Sequence, residues 1–359
     1  MLVGVNALLI RPGMTGIGTH TANLVETLAL ADVPEAYVLH RPDVTLPTRE
    51  GLYPLRVIVT DSHFEQRELP NILGRLGVVL YHSPLPSCPV YRPCPAIVTV
   101  HDVIPLARPD LTGRSFAEYF QAVAELCIPS AEVVITVSEF SRQDILHFLG
   151  VPAEKVRVVH QPAARRFFLP VSEGDMARVR AQYRLPGRFA LYVGSLEPRK
   201  NTDGLLEALV ALPMVHLVLV GRVQEDYDVE GTVARLGLAD RVRRLSYVRG
   251  EDLPALYALA DVFVFPSLYE GFGLPVLEAM ACGCPVVCSS ATSLPEVGGE
   301  AVLYADPSSP QELAAQISRL LDSGELRDTL RERGRHRAAA FSHQRYAAEL
   351  LGIYQEFVS

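Results

Sequence analysis

The chain has no tryptophan and only six cysteines among its 359 residues, which excludes a disulfide scaffold and indicates a reducing compartment such as the cytoplasm. A basic excess is also missing, because 33 lysines and arginines against 41 acidic residues give a net charge of −8. That balance argues against binding to nucleic acid through its phosphates. No apolar run reaches the roughly 18 residues that a membrane-spanning helix needs.

Two local patterns that could indicate a metal site have simpler explanations. Cys282, Cys284 and Cys288 do not follow the usual zinc spacing, so we expect small buried thiols there. The Asp-Tyr-Asp triplet at 226–228 could hold a divalent cation, but its polar surroundings predict a solvated loop. The sequence therefore predicts no metal ligands.

Short apolar runs alternate with longer amphipathic stretches, a pattern typical of repeated βα units that build parallel sheets. The first run, from Met1 to Ile10, lacks a preceding basic region and is predicted to be a strand instead of a signal peptide. The predicted strands are Leu2–Leu9, Ala36–Leu39, Leu55–Thr60, Val78–His82, Ile97–His101 and Val133–Val137, then Phe189–Val193, His216–Val220, Val242–Leu245, Val262–Phe265 and Val286–Cys288. Two successive doubly wound α/β units are the simplest account.

The expected domains are residues 1–165, a linker over 166–188, a second domain over 189–341 and a C-terminal helix over 342–359. The linker prediction depends on Pro170, Pro186 and the polar stretch between them. The last helix is predicted from apolar residues at near-helical spacing, which does not indicate the domain against which it docks.

The most informative segment runs from Ser267 to Ala281, directly after a predicted strand, where open α/β sheets bind their ligands. Gly271 and Gly273 permit close backbone approach, and Pro275 suits the first turn of a helix. Two glycines that lead into a helix N-terminus predict an anion site, and a phosphate fits it.

Glu270 and Glu278 lie on either side of this predicted phosphate site. Five helical residues separate Gly273 from Glu278, about 7.5 Å at ~1.5 Å per residue, which matches the distance from a diphosphate to the ribose of the same nucleotide. Glu278 is therefore predicted to accept hydrogen bonds from ribose hydroxyls, and Glu270 to face a sugar at the other end. Two lone glutamates would be ordinary surface residues; the glycines, Pro275 and the strand end favour the functional interpretation.

This E-x7-E spacing, with Gly-Phe-Gly-Leu-Pro inside it and Glu-Ala-Met-Ala-Cys-Gly-Cys-Pro-Val-Val after it, resembles the retaining glycosyltransferases of family 4. The resemblance covers nearly the whole chain and is strongest over 192–307. It implies the GT-B fold of two facing Rossmann-like domains, the first for the acceptor and the second for the nucleotide sugar. The implied activity is hexosyl transfer from a nucleotide sugar to a glycan or lipid-linked acceptor in polysaccharide biosynthesis.

The resemblance also implies roles for residues of the second domain. Glu270 would contact hydroxyls of the donor sugar, while Arg199 and Lys200 would neutralise the diphosphate. The residues implied in donor binding are Ser195, Gly271, Phe272, Gly273, Leu274 and Glu278. Many relatives have arginine at the position of Ser195, so one phosphate-binding charge is absent here or is supplied by Arg199.

In the first half, Gly16 and Gly18 stand in a Gly-Ile-Gly loop before a predicted helix. The third glycine of a dinucleotide fingerprint is missing, so the loop either closes over the donor diphosphate, as the resemblance implies, or is a plain tight turn. His101 ends a predicted strand and would hydrogen-bond the donor sugar near the reacting centre. A satisfied core histidine is the alternative.

Three further residues are candidates for the acceptor side. Asp102 would either orient His101 or shape the acceptor site. Ser138 is equally well explained as a helix N-cap, and Arg142 would line the active cleft.

The chain offers no carboxylate pair suited to a double displacement with a covalent intermediate. The resemblance implies a front-face displacement in which Arg199, Lys200 and the helix N-terminus stabilise the leaving diphosphate. The implied catalytic set is His101, Glu270, Lys200 and Arg199, with no cofactor and no metal.

The Gly-Ile-Gly loop, with His-Asp-Val-Ile-Pro at 101–105 and Val-Ser-Glu-Phe-Ser at 137–141, is most similar to mannosyltransferases, which favours GDP-mannose as donor. The acceptor, the oligomeric state and a peripheral contact with the inner face of the membrane stay open. The alternatives are another GT-B enzyme, such as an epimerase or phosphorylase, or a non-catalytic subunit that binds nucleotide sugar.

Overall fold

A computed structural model of the chain describes residues 2–11, 16–30, 35–46, 52–57 and 63–357. The chain divides into two compact units, one of Met1–Pro162 with Phe341–Ser359 and the other of Ala163–Ala340. Each unit is built around a parallel β-sheet. Within the described ranges, no helix combines the length and the hydropathy needed to cross a bilayer.

A seven-stranded parallel sheet forms the centre of the first unit. Its strands are β1 (Val3–Asn6), β2 (Ala36–His40), β3 (Leu52–Arg56), β4 (Leu80–Ser83), β5 (Ala96–Thr99), β6 (Val133–Thr136) and β7 (Val156–Val158). Their order across the sheet is β3-β2-β1-β4-β5-β6-β7. The helices between them are α1 (Ile17–Leu30), α2 (Phe64–Arg67), α3 (Leu69–Leu76), α4 (Ile104–Ala107), α5 (Pro109–Thr112), α6 (Arg114–Cys127) and α7 (Glu139–Leu149).

The second unit has a six-stranded parallel sheet. Its strands are β8 (Ala190–Val193), β9 (Leu217–Val220), β10 (Val242–Leu245), β11 (Val262–Phe265), β12 (Val286–Ser289) and β13 (Leu303–Ala305), in the order β10-β9-β8-β11-β12-β13. Its helices are α8 (Glu173–Gln182), α9 (Thr202–Val210), α10 (Val229–Arg235), α11 (Leu253–Leu259), α12 (Leu274–Ala281), α13 (Leu294–Gly298), α14 (Pro310–Asp322) and α15 (Gly324–Ala339).

Two parallel Rossmann-like units confirm the predicted fold class. The sequence pattern does not predict β7 and β13, because these edge strands have only three residues each, too few for a distinguishing pattern. The strand predicted over Leu55–Thr60 begins earlier, at Leu52, and residues 58–60 lie outside the described residues. Its Pro54 is tolerated because β3 is itself an edge strand.

Residues 166–188, the predicted linker, lie in the second unit, where α8 packs against α11. The reason is a polar hub around Asp252, whose carboxylate is fully buried at the start of α11. It accepts a hydrogen bond from the Tyr183 hydroxyl at 2.8 Å and pairs with Arg178 at 2.8 Å and Arg249 at 2.9 Å. Periodicity cannot reveal such a contact between distant segments.

Replacing Asp252 by alanine is expected to lower the free energy of unfolding of the second unit by about 2 kcal/mol, because three donors lose their acceptor. Arg178 and Arg249 are nearly half exposed and can be hydrated, which keeps the loss below that of a fully buried ion pair. Calorimetry of Asp252→Ala beside Glu251→Ala checks this, since Glu251 pairs with the same Arg249 at 3.1 Å but is 70% exposed. Equal changes in melting temperature would contradict the buried hub.

The last helix, α16 (His343–Gln355), belongs to the first unit. Ser342 caps it by accepting a hydrogen bond from the Arg345 amide at 3.2 Å. Tyr346 and Tyr354 are buried in a core shared with β1, β4 and α1. The sequence did not indicate where this helix docks, and the packing shows that it docks on the first unit.

Candidate active site

At the joint between β11 and α12, Gly273 has a backbone conformation that favours glycine. Gly273 is the residue before α12 and has φ +109°, a conformation that L side chains rarely adopt. A Cβ atom there would lie 2.5 Å from Cδ2 of Leu294, which is itself fully buried. Glycine is thus required both by the backbone angle and by the space. The first turn of α12 directs its amides to the carboxyl end of β11.

Glu270 lies beside this helix start and is paired with two cations. Its Oε1 accepts from Lys200 Nζ at 2.5 Å, and its Oε2 lies 3.4 Å from Arg199 Nη1. Glu270 and Lys200 are less than a tenth exposed. Burial opposes ionisation of Glu270, but Lys200 and Arg199 outweigh it and hold the pKa of this carboxyl below its usual value. Burial lowers the pKa of Lys200, against the attraction of Glu270.

Main-chain contacts join the segment of Arg199 to the segment that precedes Glu270. The carbonyl of Arg199 accepts from the Leu268 amide at 2.9 Å and from Ser267 Oγ at 3.2 Å. Asn201 donates from Nδ2 to the carbonyl of Pro266 at 3.1 Å. The guanidinium of Arg199 also donates to the Tyr269 carbonyl at 2.8 Å. The two predicted motifs, about 70 residues apart in sequence, are therefore one structural unit.

Two residues that the sequence analysis missed support the glycine segment from the loop after β12. Ser293 Oγ donates to the carbonyl of Glu270 at 2.9 Å or of Phe272 at 3.0 Å. Thr292, with φ +58°, accepts from the Glu270 amide at 3.1 Å. The polar run 289–293 at the end of a strand was the available signal.

Glu278 lies further along α12, 8% exposed, and accepts a hydrogen bond from the Tyr257 hydroxyl at 3.1 Å. Burial raises the pKa of Glu278 to about 7, although Arg166 and Tyr257 favour the ionised form. Tyr257 and Arg166 were both missed, the first because it reads as a core aromatic and the second because it falls in the predicted linker. A carboxyl with this pKa can change its charge near neutral pH.

The remaining donor-binding candidates also belong to the second unit. Gly271 and Phe272 are buried, and Leu274 begins α12. Ser195 follows β8, where its carbonyl accepts from the Tyr192 hydroxyl at 2.7 Å. Its side chain brings no charge to the site.

The glycine loop of the first unit opens α1. Gly16 has φ +54°, and its carbonyl accepts from the His20 amide at 3.0 Å in the first helical turn. Gly18 is buried within α1. Residues 12–15 of this loop lie outside the described residues.

His101 follows β5 and is partly buried. Its Nε2 lies 3.3 Å from the carbonyl oxygen of Pro84, and its ring meets the His20 ring edge-on, with centroids 4.4 Å apart. Burial lowers the pKa of His101 to about 4, so the imidazole is neutral at physiological pH. Asp102 accepts from the Ile104 amide at 3.2 Å and so shapes the start of α4.

Two acceptor-side candidates have local structural roles. Ser138 caps α7 by accepting from the Ser141 amide at 3.0 Å, as the N-cap interpretation expected. Arg142 pairs with Glu139 at 3.0 Å on the same helix. The structure brings Glu270, Lys200 and Arg199 together with Gly271 and Gly273 in the second unit, whereas the acceptor-side candidates lie in the first.

The Asp-Tyr-Asp triplet also has a local role, since Asp228 caps α10 by accepting from the Gly231 amide at 2.8 Å. Tyr227 bonds Thr202 through its hydroxyl at 2.7 Å. Cys282 and Cys284 place their thiols against the carbonyls of Phe167 and Ala260.

Comparison with protein families defines the class. Residues 14–163 match the family model described as Glycosyltransferase Family 4, and residues 177–337 match Glycosyl transferases group 1. The chain belongs to glycosyltransferase family 4 and is a glycosyltransferase with the GT-B fold.

Among curated proteins, the O-antigen chain mannosyltransferase B of Escherichia coli is 38% identical over 283 residues, 77% of this chain and 74% of the relative. The MMP alpha-(1->4)-mannosyltransferase of Mycolicibacterium hassiacum is 36% identical over 63% of this chain and 54% of the relative. The chain thus matches about half the length of the second relative and three quarters of the first.

Among solved structures, sucrose-phosphate synthase from Thermosynechococcus elongatus superposes with a TM-score of 0.80 at 23% identity, covering 99% of this chain and 98% of that one. Anabaena Alr3699/HepE in complex with UDP-glucose gives 0.80 at 21% identity, covering 99% and 100%. At these identities the likeness establishes the fold.

Proposed function

We propose that this glycosyltransferase moves a mannosyl group from GDP-mannose to a glycan or lipid-linked acceptor, with retention of configuration and without a metal. The names of the two mannosyltransferase relatives support mannose as the transferred sugar, and the name of the O-antigen relative supports a glycan as the acceptor. The observation that carries the proposal is the buried Lys200–Glu270 pair, with Arg199, beside the start of α12.

The charges at this site suit a nucleoside diphosphate. Arg199 and Lys200 supply two cations, and the first turn of α12 adds the positive end of its dipole. Glu270 holds Lys200 in place and can accept hydrogen bonds from hydroxyls of the donor sugar. Charge that develops on the leaving diphosphate is thereby stabilised by groups fixed in advance.

In the proposed reaction the bond between the anomeric carbon and the phosphate oxygen breaks, and a bond to the acceptor hydroxyl oxygen forms on the same face. The hydroxyl proton passes to the departing phosphate oxygen, so no protein base is needed. Arg199, Lys200 and the helix N-terminus provide the charge neutralisation.

Because of Glu278, we expect donor affinity and the stability of the ligand-free protein to change with pH in opposite directions. If its carboxylate accepts the ribose hydroxyls, donor affinity should fall as the pH drops from 8 to 6, through the pKa of about 7. Because burial raises this pKa above its unfolded value, the ligand-free protein should lose stability as the pH rises through 7. Glu278→Gln should remove both trends, which donor titration and melting curves at pH 6 and 8 would measure. A donor affinity that stays pH-independent would contradict the ribose contact.

The donor and chemistry can be tested with purified protein, GDP-mannose, GDP-glucose and UDP-glucose, a mannose-terminated acceptor and excess chelator. We expect GDP release and an α-configured product from GDP-mannose, unchanged by the chelator, with Lys200→Met as the control of strongly reduced activity. Faster turnover of UDP-glucose than of GDP-mannose would contradict GDP-mannose as the donor. A requirement for metal would contradict the proposal that Arg199, Lys200 and the helix N-terminus neutralise the diphosphate.

A further inference from the structure

An open cavity of about 560 Å³ lies at the amino ends of three neighbouring strands of the second unit. It is lined by residues within 184–188, 214–216 and 239–243, the segments that lead into β8, β9 and β10. The candidate active site lies at the opposite edge of this sheet, because Arg199 and Lys200 follow the carboxyl end of β8. The cavity is therefore a separate place in the fold, and its volume suits a small organic ligand.

Positive charge is concentrated in this cavity. Four arginines line it, namely Arg184, Arg188, Arg241 and Arg243. Among the described residues of the lining, Asp240 is the one acid, and of the four arginines Arg188 alone pairs with a carboxylate, that of Asp261 at 3.1 Å. The whole chain has a net charge of −8, so this local excess of cations is opposite in sign to the overall charge. Such a cavity attracts anions.

Two of the four guanidinium groups are partly buried and differ in their partners. Arg241 donates from Nη1 to the carbonyls of Leu209 at 3.1 Å and Leu212 at 2.7 Å, which fixes the position of its charge. Arg243 has a buried Nε without a hydrogen-bond partner among the described residues. A buried donor that lacks an acceptor costs free energy, and an anion bound in the cavity would supply the acceptor.

Arg184 places a cation where glycine would cost less. It follows the end of α8 with φ +48°, a left-handed conformation that favours glycine. The neighbouring Leu185 amide donates to the carbonyl of Arg180 at 2.9 Å, a hydrogen bond that a glycine at position 184 would also permit. The arginine side chain is therefore not needed for this helix end, but it adds a charge to the cavity.

We propose that this cavity, the arginine pocket, binds a phosphate group carried by an organic molecule, with Arg241 and Arg243 as its main donors. Planar guanidinium groups suit phosphate because they can donate two parallel hydrogen bonds to its oxygens. Met214, which lines the pocket and is 89% exposed, offers an adaptable apolar contact to the organic part of the ligand. Two sources carry this chemistry, a soluble phosphomonoester and a phospholipid headgroup.

Binding of a soluble ligand can be followed at Met214 in the full chain. The chain has five methionines, so ¹³C-methyl spectra are sparse, and Met214→Leu assigns the signal. Titration with glucose 6-phosphate should shift the Met214 methyl signal saturably, with a Kd of about 1 mM or lower, and glucose should leave it in place. This signal reports on the arginine pocket and not on Arg199 and Lys200 at the other edge of the sheet.

Vesicles distinguish the second source. Co-sedimentation with phosphatidylcholine vesicles that contain phosphatidic acid, absent without that lipid and lost in Arg243→Gln, would identify a lipid headgroup as the carrier of the phosphate. A saturable shift with glucose 6-phosphate, without vesicle binding, would identify a soluble phosphomonoester. If glucose 6-phosphate moves the Met214 signal no more than glucose does and the vesicles do not bind, the proposal is wrong.

Arg244→Gln is the matched control for Arg243→Gln. Arg244 is the next residue of β10, is exposed, does not line the pocket and pairs with Glu230. Each substitution removes one positive charge from the same strand. We expect Arg243→Gln to weaken the affinity of the probe that binds about tenfold or more, and Arg244→Gln to weaken it less than about twofold. Equal losses would show a general effect of charge and would overturn the pocket.

Arg184→Gly tests the pocket without a risk to folding, because glycine suits the left-handed backbone at this position. The melting temperature of this variant should not fall, whereas the affinity for the same probe should fall about threefold. A purely structural role of Arg184 would give the opposite result, a lower melting temperature with unchanged affinity. Wild-type affinity in both Arg184→Gly and Arg243→Gln would also overturn the proposal.

Discussion

Replacing Lys200 by methionine is expected to lower kcat for sugar transfer by about 10²- to 10³-fold, the usual cost of losing one fixed charge-stabilising group. Methionine preserves much of the packing, including the position near the Phe265 ring, whose centroid lies 5.2 Å from Nζ. It removes the cation that faces Glu270 and, in the proposed reaction, the leaving diphosphate. Single-turnover measurements with saturating donor would separate this loss from weaker binding.

The same variant leaves the buried Glu270 with Arg199 as its remaining cationic partner among the described residues, so the pKa of Glu270 should rise and the protein should lose stability. Lys200→Met/Glu270→Gln removes both charges and should recover much of that stability without recovering activity. A double variant as active as the wild type would contradict a role for the pair in catalysis. A Lys200→Met variant that melts normally and turns over normally would remove the basis of the proposed function.

Gly273→Ala is expected to lower the free energy of unfolding by about 3 kcal/mol and to abolish most donor binding. Part of the loss is backbone strain at φ +109°, and part is overlap with the buried Leu294. Relaxing either would displace the start of α12, where the diphosphate is proposed to bind. Chemical denaturation and donor titration measure the two effects.

Gly77→Ala is a matched control for strain alone. Gly77 has φ +65° at the end of α3, with nothing within 4 Å of an added Cβ, and lies in the other unit. It should cost about 1 kcal/mol and leave donor binding intact. Gly273→Ala/Leu294→Ala relieves the overlap at the cost of a cavity. If Gly77→Ala and Gly273→Ala had equal effects on stability, the close contact with Leu294 would be irrelevant.

The sequence predicted the elements of the site better than their connections. The strand before the 267–281 segment and the glycines and helix within it follow local sequence rules, so a single sequence is enough to predict them. The pairing of Lys200 with Glu270 is not, because it spans 70 residues and depends on β8 and β11 lying side by side. The resemblance suggested both residues but not their mutual contact.

Other contacts of the site were not predicted because the residues that make them follow common sequence patterns. Tyr257 has the pattern of a core aromatic, and only the fold shows its hydroxyl on Glu278. Ser293 and Thr292 read as turn residues, and Asp252 as one of several acids near a helix start. The contacts that hold residues 166–188 in the second unit escaped prediction for the same reason, since they reach α11 about 70 residues away.

The position of α16 in the first unit determines the order in which the two units can fold during translation. The core of the first unit requires residues on both sides of Ala163–Ala340, so the ribosome must deliver the whole intervening unit before that core can close. Tyr354, bonded to His82, and Tyr346, beside His20, are translated only after that intervening unit. The second unit can fold as it emerges, whereas the surroundings of His20 and His82 are completed only after it.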